Sequence, residues 1–180
     1  MSNLLTEQEL LDRHAASVYN LALRLTGNPT DAGDLAQDAL IRALKGLADF
    51  HGDSSVTTWL YRITVNTWKN RLRSESRRGL GRTASLDAFV SEDHGGEPPF
   101  KADDPPIDAS METAERGGAV QKALLDLDEE SRAVILLREL KDMTYAEIAQ
   151  ALGIPEGTVK SRLSRARQAL KEKLKKFVQL

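Results

Sequence analysis

The chain has 180 residues, 41% hydrophobic and 29% charged, with a net charge of −2 and no cysteine. That is the balance of a soluble globular chain, and it excludes disulfides, thiolate metal sites and cysteine nucleophiles. No apolar run approaches the roughly 18 residues needed to span a bilayer, and Met1–Leu11 lacks the basic start of a signal peptide, so a cytoplasmic location is expected.

Leu10, His14, Val18, Leu21 and Leu25 recur at helical spacing, and Gly27-Asn28-Pro29 breaks that helix. Thr30 or Asp31 is the expected cap of a second helix carrying Leu35, Ala36, Ala39, Leu40, Ala43, Leu44 and Leu47. After the polar turn His51–Ser55, a third helix carries Trp59, Leu60, Ile63 and Leu72, with Asn66, Lys69, Arg71 and Arg73 on its polar side. Residues 76–117 change character. Prolines and glycines punctuate an acidic stretch with no apolar period, expected to be a flexible linker with a short ordered piece near Leu86, Phe89 and Val90.

A second helical block follows. Ala119–Leu127 reads as one helix, and Asp128 or Glu129 opens the next. Thr144-Tyr145-Ala146-Glu147 is a capping box, Gly153 ends its helix, and Pro155 suits the first turn of the last one. No strand pattern appears, so the expected class is all-α: two small helical domains, residues 6–75 and 118–178, joined by the acidic linker of 76–117.

Residues 156–176 hold 8 basic and 2 acidic side chains on an otherwise mildly acidic chain. Charge alone allows either a polyanion contact or a solvated helix face. The segment Thr144–Leu163 adds helix-turn-helix chemistry: a small Ala149 at the crossing, Gly153 at the turn, and Ile148, Leu152, Ile154, Val159 and Leu163 for a shared core. At 100° per residue, Val159, Leu163, Ala166, Leu170 and Leu174 form one stripe. Thr158, Ser161, Arg162, Arg165 and Gln168 form the opposite face, able to reach base edges, with Lys160, Arg167 and Lys171 beside it for phosphates.

The first block narrows the function further. Asp31–Leu44, the run Phe50–Ile63 and Asn66 closely resemble region 2 of the extracytoplasmic-function sigma factors, and Gly157–Arg167 resembles their region 4. The resemblance covers about residues 8–75 and 119–175. It implies a promoter-recognition subunit of RNA polymerase and not an enzyme. In that family the acidic helix of region 2 grips a coiled coil of the polymerase β′ subunit; here Asp34, Gln37, Asp38 and Ile41 would serve, and region 4 would meet the β flap. The turn and helix after Phe50 would hold the opened −10 element through His51, Ser54, Ser55, Arg62, Asn66 and Lys69. Trp59 sits at core spacing, with base stacking as the alternative. Region 4 would read the −35 duplex through Thr158, Lys160, Ser161, Arg162 and Arg165.

Two departures from the family's pattern stand out: Pro155 replaces a common serine, and Trp68 replaces a smaller residue. The resemblance also implies an anti-sigma partner, and leaves the linker as either a passive tether or a mimic of RNA in the polymerase channel. The competing reading is a helix-turn-helix regulator that binds duplex DNA without polymerase. His14, His51 and His94 form no metal-ligand pair, and no phosphate loop or nucleophile elbow is present, so no cofactor, metal or catalytic residue is expected.

Overall fold

The computed structural model describes residues 6–78 and 111–178 of the chain. Among these residues there are seven α-helices and no strand: α1 Glu7–Thr26, α2 Pro29–Gly46, α3 Val56–Arg77, α4 Met111–Leu125, α5 Glu129–Ile135, α6 Tyr145–Leu152 and α7 Glu156–Val178. The all-α expectation holds. The expected short piece at Leu86, Phe89 and Val90 lies outside the described residues.

Local chemistry sets most helix ends. Thr6 and Glu9 form a reciprocal capping box at the start of α1, and Gly27 ends it in the left-handed region at φ 83°. The cap of α2 is Asn28, not Thr30 or Asp31. Its side chain accepts from the Asp31 amide at 2.8 Å, which lets Pro29 occupy the first helical position where a missing N–H costs nothing. Ser55 caps α3, Asp128 caps α5, and Thr144 with Glu147 makes the expected box on α6. Gly153 ends α6 at φ 65°. Pro155 stands just before α7 rather than inside it: its carbonyl accepts from the amides of Thr158 and Val159 and so starts the ladder.

α4 begins at Met111, inside the stretch expected as linker. Met111–Arg116 holds mostly good helix formers, and Gly117-Gly118, at the expected end of the linker, is carried inside the helix.

Helices α1–α3 bury one aliphatic seam. Leu10, Val18, Leu21 and Leu25 meet Leu35, Ala36 and Ala43 of α2 and Leu60 and Val65 of α3. The alanines of α2 let it approach its neighbours closely. In the second half, Val134 and Leu137, Ile148 of α6, and Val159, Leu163 and Ala166 of α7 fill the core. A five-residue π-turn, Leu136–Leu140, continues α5 and delivers the chain to Met143 and the cap of α6.

The two halves touch through a built interface. Arg132 is 5% exposed. Its guanidinium donates to the carbonyls of Leu124, Leu125 and Leu127 at the end of α4 and, across the interface, to Leu25 at the end of α1. The Leu124 carbonyl also accepts from the Leu127 amide at 3.1 Å, so the guanidinium adds to one turn bond and serves further carbonyls at the ends of two helices.

Candidate nucleic-acid and partner interfaces

Three exposed faces carry the residues singled out from the sequence. The first is the outer side of α2. Asp34, Gln37 and Ile41 are exposed at helical spacing, and Ile41 is a large aliphatic side chain left 43% open to solvent. Asp38, on the same helix and with its side chain about half exposed, is already paired: Arg71 of α3 holds its carboxylate and also donates to the Asp34 carbonyl at 2.8 Å. The face therefore offers one free carboxylate, an amide and an apolar knob, with Asp38 bracing α2 on α3.

The second face is the turn 51–55 with α3. Gly52, at φ 81°, makes the turn. His51 is exposed and its Nδ1 bonds the Asp49 carbonyl at 2.6 Å. Ser55 is spent as the α3 cap, accepting from the Thr58 amide at 3.0 Å. Asn66 is exposed, and Arg62 and Lys69 are half-buried beside it on α3. An open recess of about 400 Å³ lies between α2 and α3, lined among others by Arg42, Asp49, Trp59, Asn66 and Asn70. Trp59 is 8% exposed and forms its floor, packed on Phe50 with ring centroids 4.9 Å apart. The structure thus gathers Asn66 and Trp59 at one recess and leaves His51, Ser54 and Ser55 outside its lining.

The third face is α7. Lys160, Ser161 and Arg165 are exposed together over the first turns, and Thr158 is half-buried beside them. Arg162 is not on this face. Its side chain turns toward α5, pairs with Glu130 and is 23% exposed. A second open recess of about 400 Å³ is lined by Tyr145, Lys160, Ser164, Arg167, Gln168 and Lys171.

Tyr145 and Arg138 belong to this face and escaped the sequence reading. The Arg138 guanidinium lies 5.4 Å from the Tyr145 ring centroid and the Lys160 ammonium 5.8 Å. Arg138 also donates to the Met143 carbonyl at 2.8 Å, which fixes it against the cap of α6. The sequence signal was an aromatic residue immediately after a cap, where no core position is expected. Arg167 is held by Glu139, whose carboxylate accepts from its Nε at 2.9 Å and raises its pKa further above the ordinary arginine value. The result is a surface with several cations around one aromatic ring and hydroxyls alongside, suited to phosphate oxygens and base edges. Among the described residues no helix is long and apolar enough to cross a membrane.

Two family models match, and they fall on the two halves: Sigma-70 region 2 over residues 10–78 and Sigma-70 region 4 over residues 117–170. The fold and its three faces therefore define a two-region transcription initiation factor of the sigma-70 type. The ECF RNA polymerase sigma-E factor of Escherichia coli strain K12 is 38% identical over 169 residues, covering 94% of this chain and 86% of that one. The ECF RNA polymerase sigma factor SigE of Mycolicibacterium smegmatis is 37% identical over 93% of this chain, which spans only 61% of that relative. The sigma factor RpoE of Bartonella quintana, solved in complex with the anti-sigma factor NepR, superposes with a TM-score of 0.70 at 29% identity, covering 93% of this chain and 95% of that one. The chain belongs to the extracytoplasmic-function group of RNA polymerase sigma factors.

Proposed function

We propose that this chain docks on core RNA polymerase through α2 and the second half, and selects promoters with α3 and α7. Residues 6–75 would do the work of region 2 and residues 118–178 that of region 4, joined by 76–117. Asp34, Gln37 and Ile41 meet the β′ coiled coil, while Asp38 acts mainly by holding α2 on α3. The second half meets the β flap.

At the −10 element, the Asn66–Trp59 recess receives an unstacked base, with Arg62 and Lys69 on the strand's backbone and His51, Ser54 and Ser55 lining the approach. Trapping bases out of the stack favours the melted form without nucleotide hydrolysis by this chain. At the −35 element, Ser161 and Arg165 reach base edges from α7. Lys160, Thr158, Arg138 and Tyr145 engage phosphates. Arg162, tied to Glu130, steadies the motif from behind.

In this reading the chain needs no cofactor, carries no catalytic residue and works in the cytoplasm. It is controlled by an anti-sigma protein, as the Bartonella relative's complex with NepR suggests. The observation that carries the reading is the pairing of an exposed acidic–apolar face on α2 with a cationic reading face on α7 in one chain. A regulator acting without polymerase would leave the region 2 match over residues 10–78 without a role.

Run-off transcription with purified core polymerase and a promoter library tests it. Initiation dependent on this chain, at sites sharing a −35 and a −10 sequence, is expected. Failure to bind core, or a loaded core that starts at no site, overturns it.

A further inference from the structure

The cations of α7 are not equally available. Arg162 pairs with Glu130, Arg167 with Glu139, Lys173 with Asp126 and Lys175 with Glu172. Lys160, Arg165 and Lys171 form no ion pair with a described residue. Glu130, Glu139 and Asp126 come from outside α7, so the charge counted along the helix overstates what it offers to DNA.

Arg167 is the paired cation that borders the reading face. It lines the cationic recess with Tyr145, Lys160 and Lys171, and its side chain and that of Glu139 are each about half exposed. Glu139 stands near the end of the π-turn and accepts from Arg167 Nε at 2.9 Å. A phosphate that approaches Arg167 therefore meets the Glu139 carboxylate as well, and the two charges nearly cancel. The pair at Arg162 differs in place: that side chain turns toward α5 and is 23% exposed.

An exposed ion pair adds little to stability, because water already screens both charges. Bracing the π-turn on α7 is thus a weak reason for a carboxylate at this spot. Its larger effect falls on the polyanion that the face binds. Each cation that neutralises a phosphate releases counterions and steepens the salt dependence of binding. Cancelling one such cation lowers affinity for every duplex alike and leaves the base contacts of Ser161 and Arg165 untouched.

We propose that Glu139 is a specificity-determining residue: it withholds Arg167 from the phosphate backbone, so that −35 sites with a mismatched base fall below the affinity needed for occupancy. This rests on the assignment of α7 to the −35 element.

Glu139→Gln keeps an acceptor for Arg167 Nε and removes the negative charge. The chain loaded on core polymerase is titrated with a fluorescent promoter duplex at several salt concentrations, where the core's own contribution is common to all variants. Glu139→Gln should steepen the salt slope by about 0.9 and raise affinity about eightfold at about 0.1 M salt, on matched and mismatched −35 sequences alike. In promoter-library transcription at fixed concentration, it should initiate at mismatched −35 sites that the wild type leaves silent. Arg167→Ala alone should leave the slope near wild type, and adding it to Glu139→Gln should return the slope there. Glu130→Gln, whose cation faces α5, should leave the slope unchanged.

An unchanged slope in Glu139→Gln overturns the proposal. So does a slope that falls by about one in Arg167→Ala alone, which would put Arg167 on a phosphate despite its partner. Equal steepening by Glu130→Gln would reduce the effect to overall charge and overturns it too. Lys171→Ala separates this proposal from the reading beneath it. If that variant also leaves the slope unchanged, the −35 assignment fails; if it lowers the slope while Glu139→Gln does nothing, only the screening role does.

Discussion

Arg132 reaches from the second half of the chain to the first, donating from Nη1 to the Leu25 carbonyl at 2.8 Å. Four carbonyls from two helix ends depend on this one guanidinium. Arg132→Ala should remove the partner of the Leu25, Leu125 and Leu127 carbonyls in a largely buried site and lower stability by about 3 kcal/mol. Urea denaturation followed by far-UV circular dichroism measures it. Arg132→Lys should recover little, because an ammonium cannot fan out to four acceptors.

Arg165 and Lys171 should separate reading from holding. Arg165→Ala is expected to cost about 1–3 kcal/mol at one −35 position and to relax preference there. Lys171→Ala should weaken binding evenly across sequences and lower the salt slope by about one. Promoter-library transcription and binding titrations at several salt concentrations distinguish the two.

Ile41 is 43% exposed and outside the buried core, so Ile41→Ala should change the melting temperature little. Core-polymerase affinity should fall about tenfold, the ~1.4 kcal/mol expected for losing its apolar contact. Core affinity equal to wild type would remove α2's outer face from the polymerase contact.

His14 lies half-buried on α1, and burial, aided by neighbouring Arg13, holds its pKa below the ordinary 6.5. The folded form therefore binds fewer protons there than the unfolded form. Its contribution is present above about pH 6.5 and is lost as pH falls through the depressed folded value. Unfolding free energy should decline on acidification below pH 6.5, and His14→Leu should flatten that decline. Urea midpoints between pH 5 and 8 check it.

Much of this molecule was legible because its signals are local. The capping box Thr144–Glu147, the turn at Gly153 and the aliphatic stripes of α1, α2 and α7 are read from residues within a turn or two of each other. The Asn28 cap was missed because Thr30 and Asp31 are equally good caps in isolation, and only the proline at the first helical position selects among them. The site was read less fully for a different reason. Arg162 and Arg165 are three residues apart on the same cationic helix, but Glu130, distant in sequence, turns the first inward. Asp38 is likewise claimed by Arg71, 33 residues away. Trp68 had no assigned role until Arg132 was seen above it. Pairings at that separation leave no periodic trace in one sequence.

Glu147 divides its labour between its two oxygens. Oε2 serves Thr144, its own helix's cap, at 2.8 Å, while Oε1 alone receives Thr58. The contact between the halves at this point therefore rests on one oxygen, and the cap of α6 is built on the other, so neither bond is made at the expense of its neighbour.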